Sequence, residues 1–238
     1  MTRKVGQRFH NPIGPPSTLS SYLKSEDRVT LATEDLRYLL SRSYNRESAV
    51  RFVGDKYQLS KHDKLILYRC VYSKEAAEHH RLKLVGIDNV RSRRLVVDGY
   101  NVLITVESML QGKTLVFSDD HLVRDVSAVH GKHSITKTTE KALELIFNVL
   151  SEANLGEATF FLDAQVSRSG ELASLIRRKL KETEIRGDAF TVKQADVSAW
   201  SSGEVVATSD SALISKVQAV FDLAGKIIRD SNVPLMTL

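Results

Sequence analysis

Six aspartates in the C-terminal half stand at or just past the end of short apolar runs. Asp98 directly follows Leu95-Val96-Val97, and Asp163 directly follows Phe160-Phe161-Leu162. Asp119 and Asp120 come after Thr114-Leu115-Val116-Phe117 and Ser118, and Asp210 comes just past Val205-Val206-Ala207-Thr208. Asp196 holds a similar place after Ala189-Phe190-Thr191-Val192. Carboxylates gathered at one spot repel, and they do not all ionise cheaply unless a cation neutralises them. Oxygen ligands without Cys or His suit Mg²⁺ or Mn²⁺. The chemistry open to such a site is metal-assisted hydrolysis.

Those aspartates converge only if the runs before them are neighbouring strands. From Arg94 the chain alternates short apolar runs with amphipathic stretches. Thr138 to Ala153 has helical spacing, with Ala142, Leu145, Ile146 and Val149 on one stripe. Ser169 to Glu184 reads as a helix capped by Ser169. Helical material is also expected between the last strand and Arg229. This alternation predicts an α/β unit with a mostly parallel sheet covered on both faces. The carboxyl ends of parallel strands share one edge, where ligands bind. Each aspartate also has a plain structural role open to it. Asp98-Gly99 makes a good turn, and Asp210 is a favoured N-cap before Ser211-Ala212-Leu213-Ile214.

The N-terminal half has another texture. Residues 1–94 hold 19 Lys+Arg against 10 Asp+Glu, a net of +9, although the whole chain carries +5. Residues 1–24 fit no helical or strand period and read as a flexible arm. Residues 25–84 predict a basic helical domain, with Thr33, Asn45, Ser60 and Ser73 opening successive helices. Asn45 would start an apolar stripe of Ala49, Val50, Phe52 and Val53. Ser60 with Asp63 resembles a capping box. Residues 85–94 read as a charged linker to the α/β domain over 95–238. Arg37, Arg42, Arg46 and Arg51, interleaved with Tyr38, Tyr44, Tyr57 and Tyr68, suit a nucleic-acid surface. The tyrosines are read first as completing a small core. His79 and His80 are read as surface residues. Arg124 and Arg168 are expected in strand-end loops, where they would touch phosphates or offset the acids.

Several classes are disfavoured. A 42% hydrophobic content is ordinary for a globular protein, and no apolar run reaches the ~20 residues of a membrane span. The expectation is a cytoplasmic protein; its oligomeric state is not legible. Lone Cys70 rules out a disulfide framework within the chain. A haloacid-dehalogenase phosphatase needs a second Asp two residues after the first, and position 100 is Tyr. No phosphate-cradling glycine loop and no nucleophile elbow occur. His121, His130 and His133 follow no zinc spacing and read as a polar loop.

Val96-Val97-Asp98-Gly99-Tyr100-Asn101-Val102-Leu103-Ile104 resembles the opening strand of the PIN-like nuclease superfamily, in its NYN and YacP-like branch. Val206-Ala207-Thr208-Ser209-Asp210-Ser211 resembles that superfamily's late motif, and Ser118-Asp119-Asp120 and Leu162-Asp163 match intermediate acidic positions. The resemblance implies a three-layer α/β/α domain and a ribonuclease, with RNA a better substrate than DNA. It makes Asp98, Asp163 and Asp210 catalytic. Asp98 and Asp210 would hold the principal Mg²⁺ or Mn²⁺, and Asp163 with Asp119 or Asp120 would hold a second cation or order water. Asn101 would orient a ligand or water, and Ser209 and Ser211 would support the carboxylates. The superfamily often adds an acid on a mid-domain helix, for which Glu140, Glu144 and Glu171 are candidates. The alternative function is a non-catalytic RNA-binding or ribosome-associated protein on the same scaffold. The helical half resembles an archaeal family of unknown function numbered 434. Asp35-Leu36-Arg37-Tyr38-Leu39-Leu40-Ser41-Arg42, Phe52 to Leu59 and Leu67-Tyr68-Arg69 carry that likeness, which implies no activity.

Overall fold

Strand-forming residue types explain only half of the first strand's position; its neighbours explain the rest. Leu95, Val96 and Val97 are all buried, so β1 (Arg94–Asp98) is covered on both faces, as a continuous apolar run requires. It pairs in parallel with β4 (Glu157–Asp163) on one side and β6 (Val205–Ala207) on the other. β5 (Gly187–Val192) and β7 (Ala219–Val220) extend the sheet outward, giving the order β5-β4-β1-β6-β7. The protein is thus α/β, with a parallel five-stranded sheet behind an N-terminal helical region. The computed structural model describes residues 25–126, 133–193 and 204–238. The arm over 1–24, His130 and Asp196 lie outside the described residues.

Side-chain alternation divides the sheet. Leu95, Val97, Phe160, Leu162 and Val205 face one core with α5 (Gly99–Leu110), α6 (Lys137–Glu152), α7 (Ser169–Glu182) and α9 (Leu223–Asp230). Val96, Phe161, Val206 and Val220 face the other way, against Leu122, Val217 and the one-turn helix α8 (Ser211–Ile214). The chain moves β1 to β4 to β5 in one direction and β6 to β7 in the other. Right-handed crossovers of opposite direction lie on opposite faces, which places α7 and α8 on different sides. Helices on both faces were expected, but the second layer is reduced here to a single turn.

β2 (Leu115–Phe117) does not join this sheet. It lies between antiparallel β3 (Val123–Asp125) and parallel β8 (Met236–Thr237) in a second, three-stranded sheet. That sheet backs onto the helical region: Ile66 and Cys70 pack with Val116, Val126, Met236 and Leu238. The helices are α1 (Ser25–Ser41), α2 (Arg46–Lys56), α3 (Lys61–Cys70) and α4 (Lys74–Arg81). Asn45 and Ser73 cap as expected, and Ser60 with Asp63 forms both bonds of a capping box. Thr33 does not cap. Val29, Ala32 and Leu36 carry the apolar period back to the start of α1, leaving Thr33 buried inside it. Ser169 is likewise the first residue of α7, and Arg168 takes the cap position at φ +63° with no side-chain cap bond. Residues 85–94 pack against the α/β unit. Val85 N–H donates to the Val220 carbonyl, Ile87–Val90 form a 3₁₀ turn, and Val90 is in the main core.

Candidate metal centre and its facing wall

The parallel register builds the acid centre. Val97 pairs with Ala207, so Asp98 lies beside Thr208 one step further along. The Thr208 hydroxyl donates to Asp98 Oδ2 at 2.9 Å, and Asp210 N–H donates to the same Thr208 oxygen at 3.0 Å. Asp98 also pairs with Phe161 on the other side, which puts Asp163 two residues further on but on the same face of the pleat. Two residues along a strand is about 7 Å. The reversal of strand order lies between β1 and β6, the crevice where open sheets bind ligands, and Asp98 and Asp210 flank it.

Gly99 lets α5 start immediately after Asp98. A Cβ there would lie 2.5 Å from Leu162 Cδ2 and 3.0 Å from the Phe161 carbonyl oxygen, so any side chain would push β1 and β4 apart. Asp98 is the N-cap residue of α5, but its carboxylate makes no cap bond to the helix. Asn101 Oδ1 accepts from Ser209 N–H at 2.7 Å and from Ser209 Oγ at 3.0 Å, tying the start of α5 to the segment after β6.

Asp98 keeps a partly exposed edge, but protein surrounds its carboxyl group. Burial pushes its pKa up to about 6; the Thr208 hydrogen bond and the nearby Asn101 backbone amide oppose this, and the charges of Asp210 and Asp163 add to it. Among the described residues, no Lys, Arg or His forms an ion pair with Asp98, Asp163 or Asp210. Asp163 accepts from Gln165 N–H and Asp210 from Ala212 N–H, both at 2.8 Å. Asp210 therefore caps α8 with one oxygen while standing beside Asp98. No three acidic, imidazole or thiol side chains among the described residues converge as direct ligands of one ion. The offset of Asp163 along its strand accounts for this. The donor set fits a hard cation that keeps several of its waters, held by one or two carboxylates with a third reached through water.

Asp119 and Asp120 do not join the centre, because β2 belongs to the other sheet. Asp119 takes Arg37 in a two-point ion pair, at 3.0 and 2.5 Å, and accepts from Tyr72 N–H. Asp120 is fully buried. Arg124 grips it with two bonds of 2.6 and 2.7 Å, and His80 Nδ1 lies 2.8 Å away. Burial alone would raise Asp120's pKa; Arg124 and His80 outweigh that and hold it at about 2. Arg124 is thus no strand-end phosphate contact. It is a buried β3 residue whose Nε also donates to the Ser209 carbonyl, next to Asp210. His80 is correspondingly buried, not superficial. The Tyr72 hydroxyl donates to the Arg69 carbonyl at 2.9 Å.

Asp210 and Asn101 border a cleft of about 380 Å³, whose lining does not include Asp98 or Asp163. One wall is Tyr100, Asn101, Asp125, Asp210 and Ser211; the facing wall is Arg46, Tyr68, Arg69 and Tyr72 of the helical region. Arg46 donates to the Tyr68 and Val71 carbonyls and stands over the Tyr72 ring at 4.6 Å. Arg42 lies over the Tyr38 ring at 4.7 Å, and Arg51 is exposed. Arg168 is exposed in an ion pair with Glu171. Tyr38, Tyr44 and Tyr68 are 57%, 59% and 41% exposed and do not complete a core; Phe52, expected inward, is 65% exposed. Leu36, Val50 and Val53 already fill the helical core.

Residues 87–226 match the family model described as Domain of unknown function (DUF5616). The chain belongs to that family. The DUF5616 match contains Asp98, Asp163 and Asp210, whereas residues 28–83 match Protein of unknown function (DUF434) and supply the facing wall. The uncharacterized protein MJ0935 of Methanocaldococcus jannaschii is 39% identical over 202 residues, spanning 84% of this chain and 96% of that protein. That alignment is longer than either family match, so it takes in residues of both regions of this chain. No solved structure matches.

Sequence reasoning missed two polar residues here. Thr208 was legible as part of the Thr-Ser-Asp run, but its role depends on register. Glu107 carried no signal, because α5 was not expected. Glu107 is the buried helical acid of the domain; Thr139 Oγ1 donates to it at 2.6 Å and His133 Nε2 lies 3.0 Å away. Glu140 and Glu144 are exposed, and Glu171 is taken by Arg168.

Proposed function

We propose that this protein is a divalent-metal-dependent nuclease, cutting phosphodiester bonds of RNA in preference to DNA in the cleft between the helical region and the sheet edge. The observation that carries the reading is the contrast among the aspartates. Asp119 and Asp120 are neutralised by guanidinium groups, whereas Asp98, Asp163 and Asp210 share one electrostatic field with no described cationic partner. Such a site is completed by a cation. The hydrogen bonds that join the Asp-Gly-Tyr-Asn run to the Thr-Ser-Asp run support a PIN-like reading of the α/β unit.

Asp98 and Asp210 would hold Mg²⁺ or Mn²⁺, with Asp163 ordering a water of its shell. When bound, the ion supplies an activated water and offsets charge on the attacked phosphate. Thr208 fixes the rotamer of Asp98, and the Asn101–Ser209 bonds fix the segment that carries Asp210. Arg46 and Arg69 bring cationic groups to the facing wall, where they would receive the substrate's phosphates.

The test is cleavage of labelled single-stranded and structured RNA, with DNA counterparts, in Mn²⁺ or Mg²⁺. Cleavage should vanish in chelator and in Asp98→Asn. Activity untouched by either change would overturn the reading. Salt-sensitive binding with no cleavage in any metal would favour a non-catalytic RNA-binding role.

A further inference from the structure

Tyr72 has a second cavity on its other side. This cavity measures about 440 Å³ and is lined by Arg37, Tyr38, Lys74, Arg81 and Asp119 besides Tyr72. Three cationic side chains face one carboxylate, so its lining is net positive, unlike the acid centre. Two of the cations are already held in place. Arg37 is fixed by Asp119, and Arg81 Nη1 donates to the Asp119 carbonyl at 2.8 Å. A guanidinium has five N–H donors, and these bonds leave donors on both. Lys74 is exposed at the first position of α4 and forms no ion pair among the described residues. Tyr38 brings to the same cavity a largely exposed ring, one face of which lies under Arg42 and the other of which is left for stacking. Pre-positioned guanidinium groups, a free ammonium and an exposed ring match one nucleotide unit: phosphate on the cations, base on the ring.

We propose that this cavity is a nucleotide subsite that anchors the strand beyond the cleft, taking one phosphate on Arg37, Lys74 and Arg81 and stacking its base on Tyr38. It rests on the nucleic-acid reading above and names how the strand is held. Tyr72, whose ring is flanked by Arg46 and Arg124, is the wall common to both cavities. Tyr72 itself is buried, so a strand reaching from one cavity to the other would lie along the helical region outside it. A base free to stack must be unpaired, so the subsite selects single strands over duplexes.

The test is fluorescence anisotropy of labelled single-stranded oligoribonucleotides with the full chain in chelator, so that binding is read without cleavage. Lys74→Glu should weaken binding about tenfold and lower the slope of log K against log salt by about 0.7, the share of one phosphate. Lys74→Arg should retain both. Tyr38→Ala should weaken binding about tenfold, and Tyr38→Phe should not. Lys181→Glu, the same charge change on exposed α7, should alter little. Lys74 and Tyr38 are exposed, and unchanged thermal unfolding would verify the fold of each variant. If the parent binds but Lys74→Glu and Tyr38→Ala bind equally well, or Lys181→Glu weakens binding as much, the subsite is overturned and the nuclease reading stands. If the parent binds no oligonucleotide, both fall.

Discussion

Replacing Asp98 by Asn should make the protein more stable while abolishing its activity. Asn keeps an oxygen that accepts from Thr208, and it removes the charge. In the folded chain the Asp98 carboxyl titrates near pH 6, against an ordinary value of 3.8. A shift of that size corresponds to about 3 kcal/mol at most, at 1.36 kcal/mol per pH unit. The sign follows from proton linkage. Below pH 4 the group is protonated in both states and costs nothing. As pH rises from about 4 to 6, the unfolded chain releases the proton while the folded chain retains it, so stability is lost. Above pH 6 the loss is complete and constant. Urea unfolding of parent and Asp98→Asn from pH 3.5 to 8 should therefore show curves that coincide at the acid end. By pH 7 they should be about 2–3 kcal/mol apart, with the variant the more stable. Millimolar Mn²⁺ should close that gap from the parent side, by about 2.7 kcal/mol at a hundred times Kd, and leave the variant unmoved. Parallel pH profiles, or equal stabilisation of both proteins by Mn²⁺, would refute the claim that Asp98 is a strained charge awaiting a cation.

Other perturbations probe the supports. Arg124→Leu leaves Asp120 buried without its guanidinium and should cost about 3–5 kcal/mol in urea unfolding, much more than an exposed change such as Arg51→Leu. Asp120 titrates near 2 when folded, so the stability it contributes should be lost as pH falls from about 4 towards 2, and acid titration of the parent reads this. Gly99→Ala should cost about 1–3 kcal/mol, because the added Cβ meets Leu162 and the Phe161 carbonyl, and nuclease assays should show activity falling further than stability explains. Thr208→Val removes the donor to Asp98 and should weaken Mn²⁺ binding about 10–100-fold, read by calorimetry.

Residue pattern carried much of this arrangement. The alternation of apolar runs and amphipathic stretches marked all five of the expected strands; for β1, β4 and β6 the reason is that parallel strands covered on both faces are apolar throughout, whereas β5 is largely exposed and β2 belongs to the other sheet. The caps at Asn45, Ser60 and Ser73 were legible because a capping hydrogen bond is local. The start of α5 was not. Val102, Leu103 and Val106 continue the apolar texture of β1 without a break, so nothing in residue type separates strand from helix at Asp98-Gly99. The exposed aromatics of the helical region were also misread, because periodicity tells which residues can enter a core but not when that core is full.

Strand-end position by itself made Asp98, Asp119, Asp120, Asp163 and Asp210 equivalent. Only the tertiary structure separated them, through strand partnership. β1, β4 and β6 are neighbours, so Asp98, Asp163 and Asp210 meet in one field. β2 pairs with β3 and β8 instead, and its two acids fall to Arg37, Arg124 and His80. Which strand lies beside which depends on contacts between residues far apart in the chain, and those settle whether a carboxylate is left without a cationic partner or neutralised by an arginine.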